Sequence, residues 1–228
     1  MHRILTKLTL SLLLALAVIT PKVNADQNPS SAALGIMIEA LSSLEQYQST
    51  GRVSFEDVEE VIVAELLPSL DITESTRLAL KKYWSELTPK QQLILKTYIA
   101  TSLVDNYSSI LSSYDNLGKI KLSASPDVRR KGNRAIVTLY ASTQDGSSKP
   151  IEFQLKMIKR DEWYVYDVVL SGVSLVKNYK AGFNSYIKRK GIEGLIARTT
   201  RKLKKHTKEG CPVCISMGLQ EAALDAEY

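Results

Sequence analysis

The sequence is poor in the residues that nucleophilic and metal-dependent enzymes use. It holds two histidines and two cysteines among 228 residues, and His2 stands at the extreme N-terminus. His206 lies in a basic run, so a Ser-His-Asp or Cys-His arrangement would need it to fold back over the domain. The same scarcity argues against a metal site built from His and carboxylates. We therefore predict a protein that is not an enzyme and needs no cofactor.

Long apolar runs are also scarce, and the one present lies near the N-terminus. Arg3 and Lys7 supply positive charge, 13 uncharged residues follow from Leu8 to Thr20, and a short side chain stands at Ala25. A helix of that length spans about 20 Å, less than the ~30 Å hydrocarbon core of a bilayer. The pattern predicts a signal peptide over residues 1–25, cleaved near Ala25, and a mature protein outside the cytoplasm.

Net charge is low once that segment is removed. The full chain has 30 Lys and Arg against 24 Asp and Glu, and residues 1–25 hold three basic residues and no acid, which leaves 27 against 24. So small an excess argues against nucleic acid as a partner. Six cations nevertheless stand close together near the C-terminus: Arg198, Arg201, Lys202, Lys204, Lys205 and Lys208. This run is typical of a solvated helix end, and contact with anionic headgroups or an acidic partner is the alternative.

Hydrophobic spacing divides the chain into a helical front, a strand-rich middle and a helical end. Apolar residues recur three and four apart from Ser30 to Tyr114, and the period then changes to two. Alternation predicts four strands: Lys119–Ser125, Arg134–Ser142, one from Ile151, and Trp163–Leu170. Helical spacing returns from Ser174, with a break at Gly191.

The predicted fold is α+β, with a four-stranded, mainly antiparallel twisted sheet covered by about six to seven helices. We expect one domain over residues 26–205 and a C-terminal tail over 206–228. The tail contains Cys211-Pro212-Val213-Cys214. In an oxidising compartment this motif favours a disulfide, and a thiol redox site is the alternative. Eleven of the sixteen aromatic residues are tyrosines, which suit a cavity wall or the edge of a core.

The stretch from Glu59 to Leu203 resembles the toluene-tolerance (MlaC) family of periplasmic lipid carriers. Order and spacing, rather than any single motif, carry the resemblance. The matching segments are Glu65-Leu66-Leu67-Pro68, Thr88-Pro89-Lys90-Gln91, Lys149-Pro150, Trp163 to Val168, Gly172 to Leu175, Tyr186-Ile187 and Gly191 to Leu195.

The resemblance implies an apolar cavity between sheet and helices that holds the acyl chains of a phospholipid. It implies a carrier in the periplasm that moves lipid between an outer-membrane lipoprotein complex and an inner-membrane ABC transporter. On this basis we expect the lipid to contact nine side chains, for each of which core packing is the alternative role. They are Tyr98, Leu103, Tyr107 and Leu111 of the long helix and Val137, Leu139, Phe153, Leu155 and Val168 of the sheet.

Two other functions remain open at this point. One is an adaptor that docks membrane complexes through its basic end and carries no ligand. The other is an enzyme of similar fold with Asp167 as a buried base, for which the sequence offers no partner acid. Within the carrier class, the ligand could be another apolar lipid such as a hopanoid.

Overall fold

The structure, a computed structural model, describes residues 28–113, 117–146, 149–208, 210–220 and 224. The expected signal peptide and Tyr114 lie outside these residues. The α-helices are α1 (Pro29–Thr50), α2 (Phe55–Val61), α3 (Ile72–Leu80), α4 (Pro89–Leu111), α5 (Leu175–Lys208) and α6 (Pro212–Ser216). Shorter turns are the π-helical Ile62–Leu66 and the 3₁₀ segments Leu67–Ser69, Lys81–Glu86 and Leu117–Lys119. The strands are β1 (Ile120–Ala124), β2 (Arg129–Lys131), β3 (Arg134–Thr143), β4 (Ile151–Lys159), β5 (Trp163–Leu170) and β6 (Val173–Ser174).

Short polar motifs fix where α2 and α4 begin. The Thr88 hydroxyl accepts from the Gln91 N–H at 3.2 Å, and the Gln91 amide oxygen accepts from the Thr88 N–H at 3.0 Å. Ser54 and Asp57 make the same reciprocal pair at α2. Each pair satisfies N–H groups that the first turn of a helix leaves without partners.

The strands form one antiparallel sheet in the order β1-β3-β4-β5-β6, with β2 paired to β3. The α+β prediction is confirmed, but the predicted count of four strands is too low. The two strands that the sequence analysis missed, β2 and β6, are three and two residues long. Strands so short carry too few residues for an alternating pattern to be recognised.

A β-bulge in β5 changes which side chains face the core. Lys156 pairs with Asp167 and Met157 with Val165, which leaves Tyr166 as the extra residue. Val165 and Val168 are three residues apart, and simple alternation would put them on opposite faces. The bulge brings both to the core face.

The sheet and the helices share three apolar clusters. The inner face of the sheet, including Val137 and Leu139, packs against Ala33 of α1. A second cluster lies between α3, α4 and α5 and contains one buried side chain from each, Leu80, Leu95 and Phe183, among others. No helix within the described ranges combines the length and apolar character needed to cross a bilayer.

The third cluster contains part of the C-terminal tail. It brings together α1, α2 and α4 with Cys211, Val213 and Cys214, all buried, and with Leu219 and Leu224. Cys211 and Cys214 form a disulfide. The tail, on the part that the structure describes, is therefore a component of the core.

Candidate functional site

A narrow cavity lies where β5 meets α3, α4 and α5. Its volume is about 40 Å³, well below the roughly 300–1,000 Å³ of small-molecule sites. Most of the side chains around it are apolar. Its walls are Leu70, Ile72, Ser75, Ile99, Leu103, Val165, Tyr166, Asp167, Val168, Leu175, Val176 and Tyr179.

The bulge in β5 and the contact of Leu70 with β5 form the β5 wall of the cavity. Since the bulge puts Val165 and Val168 on one face, both reach the cavity. Leu70 forms an isolated parallel bridge with Val165, and the Asp71 N–H donates to the Val165 carbonyl at 2.9 Å. The start of α3 is thereby held beside β5, which closes one side of the cavity.

Asp167 is the charged side chain in the cavity wall, and its carboxylate is fully engaged. It accepts from Lys156 Nζ at 2.8 Å, from Ser174 Oγ at 2.6 Å and from the Val176 N–H at 3.0 Å. Ser174 in turn accepts from the Lys177 N–H at 3.1 Å. These bonds satisfy the first turn of α5 and fix the corner between the sheet and that helix.

Two tyrosines beside the cavity keep their hydroxyl protons. Burial raises the pKa of Tyr179 to about 12, although a hydrogen bond with Ser102 acts in the opposite direction. Burial also raises the pKa of Tyr107, and the nearby Asp167 carboxylate adds to the effect. Both phenols are neutral at ordinary pH, so this side of the cavity presents rings and uncharged hydroxyls.

The structure brings two of the nine expected lipid-contact residues, Leu103 and Val168, to the cavity wall. The other helix residues are half-buried at the edges of the clusters: Tyr98, Tyr107 and Leu111. The Tyr98 ring lies 6.3 Å from the Phe183 ring, and Phe183 lies 5.9 Å from Tyr179. The remaining sheet residues belong to the cluster under α1, with Val137, Leu139 and Leu155 buried and Phe153 partly buried.

Sequence reasoning did not assign several wall residues to the site. Helical spacing places Leu175 and Tyr179 on the inner side of α5, and that spacing was the available signal. Leu70 and Ile72 reach the wall through the bridge to β5 and the turn into α3. No local pattern in the sequence predicts this bridge between Leu70 and β5.

The fold has a clear counterpart among solved structures. A phospholipid-binding protein from Ralstonia solanacearum, solved in complex with a phospholipid, superimposes with a TM-score of 0.66 at 20% sequence identity. The match covers 79% of this chain and 99% of that protein. The α+β architecture described above is thus one that a phospholipid-binding protein also adopts.

Sequence comparison identifies the family. The family model described as MlaC protein matches residues 36–200, and the chain belongs to this family. The toluene tolerance protein ttg2D of Pseudomonas putida is 28% identical over 184 residues, covering 79% of this chain and 82% of that protein. The disulfide and α6 lie beyond the matched residues.

Proposed function

We propose that this protein is a periplasmic phospholipid carrier that takes up acyl chains at the cavity between β5, α3, α4 and α5. The observation that carries the proposal is an apolar cavity at the junction of sheet and helices, in a fold shared with a phospholipid-bound protein. A lipid that crosses an aqueous space must shield its chains, since each buried CH₂ contributes about 0.8 kcal/mol. The engaged state of Asp167 also favours binding over chemistry, because its carboxylate already accepts three hydrogen bonds.

Uptake of a two-chain lipid requires the walls to separate. Leu103 and Val168 make the first contacts, and Tyr98, Tyr107 and Leu111 meet the chains as α4 moves away from its neighbours. Val137, Leu139, Phe153 and Leu155 become lipid contacts when the sheet face opens toward the cavity. Because these contacts are nearly all apolar, release costs no specific polar interaction, as a reversible carrier requires.

Family membership and the N-terminal sequence support the cellular part of the proposal. Export follows from the segment over residues 1–25, with cleavage near Ala25. The partners we propose are an inner-membrane ABC lipid transporter complex and an outer-membrane lipoprotein complex. The protein is then the soluble component that carries lipid between them.

Native mass spectrometry of protein purified from its own periplasm, followed by organic extraction, tests the proposal. We expect a bound mass that matches a diacyl phospholipid. A ligand-free mass, with no uptake from labelled vesicles, would overturn the carrier function and favour the adaptor. A bound hopanoid would keep the carrier class and change the ligand.

A pair of matched variants locates the site. Leu103→Trp fills the cavity with a larger side chain and should reduce bound lipid about tenfold or more, since overpacking opposes entry of the chains. Leu93→Trp makes the same change on the same helix at a residue that does not line the cavity, and it should keep its lipid. Equal lipid content in the two variants would contradict this location.

A further inference from the structure

Three large apolar side chains are exposed together at one end of the sheet. Ile151, Leu170 and Val173 are 51%, 40% and 58% exposed. Leu170 pairs with Val173 and with Phe153, so Ile151 stands only two residues from this pair along β4. Ser171 and Gly172, with φ of 50° and 79°, make the tight turn that holds Leu170 and Val173 side by side. Ile151, Ser171 and Gly172 also line an open depression together with Lys149 and Glu152.

Lysines flank this apolar tip on both sides. Exposed Lys149 precedes Ile151, and exposed Lys177 lies in the first turn of α5, four residues after Val173. Lys180 follows one turn later, near Lys81 at the end of α3. The positive charges of Lys81 and Lys177 lower the pKa of Lys180.

Among the residues that the structure describes, these lysines have no acidic partner. Within the described ranges, no carboxylate lies within 4 Å of the ammonium groups of Lys149, Lys177, Lys180 or Lys81. Like charges held this close repel one another, and a bound anionic surface would relieve the repulsion.

Charge is distributed very unevenly over the mature chain. Helix α5 contains eleven Lys and Arg residues and one acid, Glu193. Of the 27 basic and 24 acidic residues that follow residue 25, this leaves 16 basic and 23 acidic residues elsewhere. The helix that starts at the apolar tip is therefore the cationic side of an otherwise acidic protein, which orients it toward negative surfaces.

We propose that the tip formed by Ile151, Leu170 and Val173, together with Lys149, Lys177 and Lys180, docks the protein on an anionic lipid bilayer. The apolar side chains enter the headgroup layer and the ammonium groups remain at the level of the lipid phosphates. Exposed Lys149 and Lys177 beside exposed apolar side chains favour this partner over a protein, since protein interfaces are depleted of lysine.

The docking surface adjoins the cavity. Leu175 and Val176, in the same helical turn as Lys177, form part of the cavity wall. Docking therefore brings that wall to the membrane from which a lipid leaves or which it enters. This inference goes beyond the proposed function, because a carrier could exchange lipid with protein partners alone.

Co-sedimentation with vesicles tests the docking surface. We expect the full mature protein to bind vesicles of phosphatidylcholine mixed with phosphatidylglycerol, to bind pure phosphatidylcholine weakly, and to be released by salt. Each lysine near such a surface contributes about fivefold in affinity, so Lys177→Gln with Lys180→Gln should weaken binding by roughly 25-fold. Val173→Ser should also weaken it, since it removes an apolar side chain that is 58% exposed.

The control removes the same charge elsewhere on the helix. Lys188 and Lys205 are exposed and lie farther along α5, so Lys188→Gln with Lys205→Gln should bind within about threefold of the unchanged protein. Equal losses in the two pairs, binding that ignores anionic lipid, or no binding at all would overturn the proposal. If the protein binds no vesicles but does bind an acidic protein, the surface is a site for that acidic protein.

Lipid content separates this test from that of the proposed function. The Lys177→Gln, Lys180→Gln variant should retain its co-purified phospholipid, measured by extraction. A variant that keeps lipid and loses vesicle binding supports docking. Vesicle binding by a protein without any lipid would leave docking intact and contradict the carrier.

Discussion

Glu74 of α3 and Arg134 of β3, 60 positions apart in sequence, form an ion pair that ties the helical layer to the sheet. The buried Glu74 carboxylate also accepts two hydrogen bonds from Arg77, at 2.9 and 2.8 Å. The Arg134 guanidinium lies 4.8 Å from the centre of the Tyr166 ring, beside the bulge. One carboxylate thus holds α3 against the β5 wall of the cavity.

This arrangement predicts a loss of stability in acid. Hydrogen bonds from Arg77, more than those from Arg134, lower the pKa of Glu74 from 4.5 to about 2. The unfolded chain takes up this proton at a higher pH than the folded protein does. The contribution of the ionised Glu74 carboxylate to the free energy of unfolding is therefore complete above the pKa of the unfolded chain. It disappears as pH falls from about 4.5 to about 2. It amounts to about 3 kcal/mol at most, since both arginines are partly exposed.

Urea unfolding of the unchanged protein and of Glu74→Gln, at pH 7 and at pH values down to about 2, measures this contribution. We expect the stability difference between the two proteins to shrink steadily below pH 4.5. A difference that stays constant over that range would show that Glu74 does not carry the acid dependence.

The disulfide in the tail should stabilise the protein. It closes a four-residue loop, for which chain entropy accounts for about 2 kcal/mol, and both sulfur atoms are buried. Replacement of Cys211 and Cys214 by alanine should therefore lower the free energy of unfolding by about 2 to 4 kcal/mol. The unchanged protein in a reducing buffer should behave like the variant. Lipid content should be unaffected, and an activity lost with the cysteines would instead favour the redox interpretation.

Gly191 permits the break within α5. Its φ of 70° and ψ of 174° lie in a region that is essentially restricted to glycine. A Cβ at this position would meet no atom within 4 Å, so the cost of Gly191→Ala is backbone strain, about 1 to 3 kcal/mol. Gly182, in the same helix with equally open surroundings, is the matched control, and Gly182→Ala should stabilise by about 0.5 to 1 kcal/mol. The unfolding temperature of Gly191→Ala should lie below that of the unchanged protein, and that of Gly182→Ala should lie above it.

Leu139 tests whether the sheet face contacts lipid. It is completely buried and pairs with Phe153, so Leu139→Ala should lower stability by about 3 kcal/mol. If it is a lipid contact, the folded fraction of this variant should also hold less lipid, and a charged residue at Leu139 or Leu155 should abolish binding. Leu203→Ala is equally buried but lies in the cluster that contains α6 and does not line the cavity, and it should lose stability while it keeps lipid. Equal lipid in the two alanine variants would make Leu139 a core residue only.

Features with a local cause could be predicted from the sequence. The start of α4 depends on Thr88, Pro89 and Gln91, which interact within one turn, and the structure begins that helix at Pro89. The strand Trp163–Leu170 was predicted with the bounds that the structure gives. A run of aromatic and β-branched residues after the polar turn Arg160-Asp161-Glu162 was sufficient for this.

Features that depend on tertiary position could not be predicted. The bulge at Tyr166 is defined by the register of β5 against β4, which the sequence of β5 alone does not reveal. The cover of the sheet by Ala33 of α1 depends on how the helices stack. Since the cavity wall uses the bulge and the bridge at Leu70, its composition emerges only in the folded chain.

Because the tail is buried, part of the hydrophobic core is completed only after the C-terminal segment has been synthesised. Cys211, Val213 and Cys214 pack among residues of α2 and α4 that were made more than a hundred positions earlier, such as Val58 and Ile94. Until this segment arrives, the residues of α4 that it covers lack part of their apolar neighbours. A chain truncated before residue 210 would expose them and offer a hydrophobic surface to proteases and quality control. The segment that carries the disulfide thereby completes this part of the core after the helices that it covers.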